Sequence, residues 1–122
     1  MARASGRGAG KMSRDIRESD WKLFRELRTI APERFCQQVL NEIDRLASDP
    51  RRTSHEQYLA VFRLLQRRDR ELADAFNDLR RSTALRQLAC IQSHKLLTED
   101  EMARFSPDVR DFVQWFLETQ RA

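Results

Sequence analysis

Few residues in this chain combine a reactive side chain with a spacing that suits metal binding or catalysis. The sequence has two histidines and two cysteines. Cys90 and His94 are four residues apart, so on a helix both could face one metal ion. A four-ligand zinc site would also need Cys36 and His55, and nothing in the spacing requires that arrangement. We therefore expect a core cysteine and a histidine near a helix end, where the helix dipole favours a positive imidazole.

Motifs that carry catalysis are equally sparse. His55 is followed by Glu56, but Leu59 stands where a zinc protease would have its second histidine. There is no glycine-rich phosphate loop and no serine in a nucleophile-elbow context. We predict a non-enzymatic protein with no catalytic residue, no bound metal and no cofactor.

Arginine is the more informative residue type. Residues 51–86 hold nine arginines against five acidic residues. Six of the nine form the candidate interaction surface, namely Arg63, Arg67, Arg70, Arg80, Arg81 and Arg86. The first three share one face if their helix is continuous, and such a patch could bind phosphates. The alternative is a solvated face on which Arg67 pairs with Glu71 and Arg70 pairs with Asp74.

The net charge of +4 belongs entirely to the N-terminal segment. Residues 1–17 contain five basic groups and one acid, and the rest of the chain is balanced. This segment is small, basic and glycine-rich, so it cannot bury enough apolar surface to offset the entropy of ordering. We predict a disordered basic tail over residues 1–17 and a single helical domain over residues 18–122.

Helices are predicted throughout that domain. No glycine occurs after Gly10, which disfavours the tight turns of a sheet protein. Start signals include a possible N-cap at Ser19, capping boxes at Thr53 or Ser54 and at Thr98, and Ser106 before a proline. Arg68 and Asp69 interrupt an apolar stripe, so we expect a kink near Asp69.

The fold class is therefore all-α, a compact irregular bundle of five to six helices. The apolar positions at helical spacing predict a core. It comprises Trp21, Phe24, Phe35, Val39, Ile43, Tyr58, Phe62, Leu65, Phe76, Leu85, Leu88, Phe112 and Phe116. Trp115 lies beside the inward stripe of the last helix, so it belongs either to the core or to a dimer interface.

The segment HKLLTEDEMARF resembles a recurrent helical hairpin in which a leucine-rich helix is followed by GLLTEEEF and a second helix. His94-Lys95 replaces the glycine that such motifs often have at the turn. A helix-turn-helix reading is disfavoured, because Glu99, Asp100 and Glu101 would face the phosphate backbone.

Two functions remain open. The first is a cytoplasmic protein-interaction or regulatory module, with another protein as partner through the arginine-rich surface. The second is a nucleic-acid-binding accessory protein that contacts the phosphate backbone through the central arginines and the basic tail. Two widely spaced cysteines are typical of buried free thiols in a reducing compartment. No apolar run is long enough to cross a membrane.

Overall fold

The computed structural model describes residues 16–121, and those residues form helices and connecting turns without a β-strand. The all-α prediction is confirmed. The elements are α1 Glu18–Leu27, α2 Ala31–Ala47, α3 Ser54–Phe76, a 3-10 turn Arg81–Thr83, α4 Ala84–Ser93, α5 Glu99–Ala103 and α6 Pro107–Arg121. None of the helices in this range is long and apolar enough to cross a membrane. Of the predicted disordered tail over residues 1–17, residues 1–15 lie outside the described residues, whereas Ile16 is buried and Arg17 is the N-cap residue of α1.

The first helix begins earlier than predicted. Arg17, not Ser19, is its N-cap residue, and Ile16 inserts its side chain into the core. Asp20 lies in the first turn of this helix and is buried. Its carboxylate accepts hydrogen bonds from the backbone N and the Oγ of Ser106, at 2.9 and 2.8 Å. Asp20 therefore ties α1 to the start of α6, a long-range role that the sequence pattern did not indicate.

Two capping boxes were predicted and both are present. At α3 the Thr53 hydroxyl accepts from the Glu56 backbone N at 3.1 Å, and Glu56 accepts from the Thr53 backbone N at 2.8 Å. Thr98 and Glu101 repeat this arrangement at α5. Reciprocal bonds of this kind satisfy backbone donors that a helix start leaves unpaired. The second box fixes Glu101, which also pairs with Arg34 of α2 through two hydrogen bonds of 2.7 and 2.9 Å.

The predicted kink near Asp69 is wrong, because α3 runs without a break from Ser54 to Phe76. Arg68 does face inward, with only 13% of its side chain exposed. It lies 3.2 Å from Glu42 and 2.7 Å from Glu71, and its guanidinium stacks over the Phe35 ring at 4.4 Å. A charge that is paired and stacked in this way can occupy an inward position, so the helix does not need to break.

Lys95 has a φ of 57°, in the left-handed region that favours glycine. It follows His94, the C-cap residue of α4. Its backbone N donates to the Gln92 carbonyl at 2.8 Å and so closes the end of the helix. A lysine therefore adopts the left-handed conformation at the end of this helix.

The core is concentrated in one part of the molecule, which we call the body: α1, α4, α5, α6, the first turns of α2 and the last turns of α3. Of the predicted core, Phe24, Phe35, Leu85 and Leu88 are buried. The partly buried members of the predicted core lie at the edge of the core or at the contact between α2 and α3. They are Trp21, Val39, Ile43, Phe76, Phe112 and Phe116.

Three core predictions are wrong, since Tyr58, Phe62 and Leu65 are exposed on α3. Small residues replace them in the interior: Ala31, Ala75, Ala84 and Ala89 are all at most 1% exposed. Alanine at such positions lets helices approach closely, and its short side chain gives a weak signal in the sequence.

Candidate functional site: two faces of a helical hairpin

The remainder of α2 and α3 forms a second region, the hairpin, comprising residues 36–74. In all of α2 and α3, only Ala31, Phe35, Leu64 and Ala75 are buried, and three of these belong to the body. The hairpin therefore has a single buried residue, Leu64, where the two helices meet. Because the rest of the hairpin is partly or fully exposed, its two sides are the main candidates for binding.

One side is apolar, and we call it the apolar groove. Between α2 and α3 it contains a cavity of about 240 Å³ with an almost entirely apolar lining. The residues that line it are Phe35, Cys36, Val39, Leu40, Ile43, Leu65, Arg68, Asp69 and Leu72. Tyr58 and Phe62 extend the same face of α3 toward the hairpin tip, with their rings stacked 6.5 Å apart.

The exposure of this groove is large for apolar side chains. Tyr58 is 65% exposed, Leu40 54%, Phe62 48% and Leu65 45%. Isolated exposed apolar residues are common on proteins, but a contiguous patch of this kind typically marks an interaction surface. The sequence pattern located these residues correctly on one helix face and interpreted that face as core.

The opposite side is cationic, and we call it the arginine cleft. Arg63 and Arg67 lie two residues on either side of Leu65, so the helical rotation places them on the other side of α3. A cleft of about 340 Å³ is lined there by Glu42, Arg45, Leu46, Arg52, Ala60, Arg63, Leu64 and Arg67. Four arginines therefore converge, two of which, Arg45 and Arg52, were not in the predicted surface.

The ion pairs within the hairpin differ from the i,i+4 ion pairs that a solvated face would have. Glu71 binds Arg68 rather than Arg67, and no ion pair joins Arg70 to Asp74 among residues 16–121. Arg63 and Arg67 are likewise without an ion pair in this range, whereas Arg52 pairs with Asp49 at 3.4 Å. The cleft thus keeps positive charge that the simple i,i+4 pairing would have neutralised.

The other three predicted surface arginines belong to the body. Arg80 pairs with Asp78 at 2.7 Å and, with a smaller contribution from Arg86, holds the pKa of that carboxyl below its usual value. Arg81 pairs with Glu18 at 2.8 Å and donates to the Ile16 carbonyl, so it anchors the start of α1. These contacts are structural, and the six arginines do not form one surface.

Arg86 also lies in the body, where it lines a cavity with Asp74, Asp78, Gln87 and Cys90. Asp74 and Asp78 thus place two carboxylates beside Arg86 in the same lining. The arginine-rich stretch of the sequence is therefore divided between a cationic cleft on the hairpin and sites on the body that also contain carboxylates.

The cysteines and histidines do not assemble into a site in the described residues, where no three His, Cys, Asp or Glu side chains are placed to hold a metal. The prediction that Cys36 is buried is wrong, since it is exposed at the apolar groove. Cys90 is half-buried, and burial, with the Asp74 and Glu71 carboxylates, raises the pKa of its thiol. A raised pKa disfavours the thiolate that a nucleophile requires.

His94 contacts the Phe35 ring edge-on, with centroids 5.5 Å apart. Burial lowers the pKa of its imidazole, outweighing Glu71, so the neutral form is favoured. This differs from the positive imidazole expected at a helix end. Trp115, whose position the sequence left open, is 57% exposed and lies beside Phe112 at 5.6 Å between ring centroids.

Comparison of this chain with protein-family models, with curated proteins and with solved structures finds no match. The two faces of the hairpin are therefore the features of the molecule that indicate a function.

Proposed function

We propose that this chain is a non-enzymatic protein-interaction module of the cytoplasm and that its partner docks on the apolar groove of the hairpin. The observation that carries the proposal is the cluster of exposed large apolar side chains at Leu40, Tyr58, Phe62 and Leu65. Burying such side chains is favourable by roughly 25 cal/mol per Å² of apolar surface, and aromatic residues are enriched at protein interfaces. The two free cysteines fit a reducing compartment.

The proposed interaction surface, the apolar groove, is therefore not the arginine-rich surface that the sequence predicted. Arg80 and Arg81 are engaged in ion pairs that stabilise the body, and Arg86 faces two carboxylates. Charged pairs at an interface rim contribute less binding energy than apolar anchors in a desolvated centre. The groove therefore supplies the affinity in this proposal.

The experiment is an affinity capture with a matched pair of variants. Leu65→Lys places a charge in the groove, and Leu79→Lys makes the same change at an equally exposed leucine outside the groove lining, 47% against 45%. Both variants should fold, because neither side chain is buried. We expect the wild type and Leu79→Lys to retain a common partner that Leu65→Lys loses. Retention of the same partner by Leu65→Lys would refute the proposal.

A second function is supported by a separate observation, the four arginines of the arginine cleft. In this alternative the chain is a nucleic-acid-binding accessory protein that contacts phosphates with Arg45, Arg52, Arg63 and Arg67. Arginine suits phosphate because its planar guanidinium donates two parallel hydrogen bonds. The basic segment at the N-terminus would add further non-specific attraction.

The test is binding of mixed-sequence DNA and RNA at two salt concentrations. The double variant Arg63→Glu, Arg67→Glu should abolish salt-sensitive binding. If binding remains, the slope of log affinity against log salt concentration should be shallower by the loss of about two phosphate contacts. The control, Lys22→Glu with Arg110→Glu, changes the net charge equally at exposed positions of α1 and α6. Equal losses in both double variants would indicate attraction by net charge only and would exclude the cleft as the binding site.

A further inference from the structure

We infer that the occupant of the apolar groove is a cationic amphipathic helix of about four turns, contributed by a partner protein. This inference rests on the proposed function and specifies the chemistry of the partner. It follows from three features of the groove: its length, its rim charges and the cavity at its centre.

The length of the groove matches a helix of about four turns. The apolar row on α3 is exposed from Tyr58 to Leu65 and continues to the half-buried Leu72, and at 1.5 Å per residue its whole length corresponds to about 21 Å. On α2 a parallel row includes Cys36, Leu40 and Ile43. Two such rows with a furrow between them form the groove into which a third helix packs its apolar residues at i, i+3, i+4 and i+7.

The rim of the groove is acidic on both sides. On α2, Glu33 and Asp44 are exposed one or two turns from Leu40 on the same helix face. On α3, Asp69 borders the cavity and is exposed. A helix that packs its apolar face between these carboxylates would be favoured if lysine or arginine flanked that face.

The positive charge in the groove does not offset this rim. Arg68 lies at the floor of the groove, but its guanidinium pairs with Glu42 and Glu71 and donates a hydrogen bond to the Gln38 amide oxygen. Of the hairpin arginines without an ion pair among residues 16–121, Arg45, Arg63 and Arg67 line the cleft on the opposite side of α3, and Arg70 lines neither the cleft nor the groove. A partner in the groove therefore meets carboxylates at its edges and no unpaired cation among the lining residues.

The rim charges also argue against a second copy of this chain as the occupant. Two copies packed groove to groove would bring Asp44 and Asp69 of each against acidic rims of the other, and like charges brought together oppose association. The central cavity of about 240 Å³ instead provides a pocket for one large apolar side chain of a foreign helix. Such anchors in a desolvated centre dominate the affinity of most interfaces.

The probe for this inference is a synthetic labelled 18-residue peptide with leucines at i, i+3, i+4 and i+7, a central tryptophan and lysines beside that face. A second peptide keeps the apolar residues and replaces every lysine with glutamate. Binding to the full chain is measured by fluorescence anisotropy at low and high salt. We expect the lysine peptide to bind at least about tenfold more tightly at low salt, with the difference shrinking as salt screens the rim.

Two test variants, each with a matched control, locate the binding site of the peptide on the protein. Asp44→Lys with Asp69→Lys should lower or invert the preference for the lysine peptide, while Asp100→Lys with Asp111→Lys, an equal change at exposed positions elsewhere, should preserve it. Leu65→Lys should weaken the lysine peptide about tenfold, as loss of an interface anchor does, and Leu79→Lys should not.

The outcomes separate this inference from the proposed function. If both peptides bind equally well and both lose affinity with Leu65→Lys, the groove binds helices but the cationic preference is refuted. If sedimentation shows a dimer that Leu65→Lys dissociates, a second copy is the occupant and the inference is overturned. If neither peptide binds a monomeric chain and affinity capture finds no groove-dependent partner, the proposed function fails as well.

Discussion

The body and the hairpin are built from the same kind of amphipathic helix, yet they use it in opposite ways. In the body, the apolar faces of α1, α4 and α6 meet and bury Phe24, Leu85 and Val113. In the hairpin, α2 and α3 cover each other along one line only, and the flank of each apolar face stays open. A helix face therefore becomes core or docking surface according to what lies opposite it.

The two regions also distribute charge differently. In the body, Arg80 pairs with Asp78 and Arg81 pairs with Glu18. In the hairpin, acids collect around the apolar groove and arginines collect in the cleft behind it. A balanced composition thus conceals two oppositely charged faces, each suited to a different ligand.

The largest expected difference between the regions is in how far the free energy of unfolding falls when a phenylalanine is replaced with alanine. Phe24→Ala should lower the free energy of unfolding by about 3–5 kcal/mol, because its ring is fully buried in the body. Phe62→Ala in the hairpin should cost about 1 kcal/mol or less, since nearly half of Phe62 is already exposed. Urea denaturation measures both. Equal losses would mean that the groove is covered in solution.

Adjacent arginines provide the next comparison. Arg68→Ala removes the partner of Glu42 and Glu71, and we expect a loss of about 2 kcal/mol. This is less than for a fully buried pair, because the two carboxylate side chains are 29% and 32% exposed. Arg67→Ala, in the open cleft, should change stability by only about 0.5 kcal/mol or less. A large effect of Arg67→Ala would indicate that the cleft is structural.

The ion pair between Arg34 and Glu101, in the body beside the start of the hairpin, should give a smaller, pH-dependent effect. The Arg34 guanidinium lowers the pKa of Glu101 from 4.5 to about 2, assisted by the Thr98 backbone N–H. Because the folded pKa lies below the unfolded value, this stabilisation is complete above pH 4.5 and is lost as the pH falls toward about 2.

Replacing this carboxylate tests the ion pair directly. Glu101→Gln should reduce stability by about 1 kcal/mol at neutral pH, as expected for a weakened helix cap and a partly solvated ion pair. Its difference from the wild type should shrink as the pH falls and vanish below about pH 2. Glu99→Gln, at an exposed position of the same helix, is the control. A difference that persists unchanged at pH 2 would show that the charge of Glu101 is not responsible.

The thiols give the smallest expected difference. Cys36 is exposed at the groove, whereas Cys90 is half-buried with a raised pKa. At pH 8, a disulfide reagent should modify Cys36 about fivefold faster than Cys90, since reaction requires an accessible thiolate. Cys36→Ser should remove the fast phase and Cys90→Ser should retain it. Equal rates for both thiols would show that the hairpin is no more open than the body.

Local features of the fold could be predicted because they depend on residues that are neighbours in sequence. The capping boxes at Thr53 and Thr98 are formed by side chains three residues away, and they are present as expected. Helical periodicity also placed Tyr58, Phe62 and Leu65 on one face of α3, which is where they lie.

Contacts between distant residues could not be predicted in the same way. The sequence offers no signal that Asp20 binds Ser106 or that Arg68 is paired with Glu42, so Ser19 was favoured as the cap and Asp69 as a kink. Arg45 and Arg52 join the cleft only because the turn after α2 brings them beside Arg63.

The sequence by itself determined that this chain is helical, where most helices begin and which face of each is apolar, since these properties arise within a few turns of one helix. Only the tertiary structure decided which apolar faces are covered. Burial depends on a second element lying opposite, and for Leu40, Phe62 and Leu65 no described element of this chain does so.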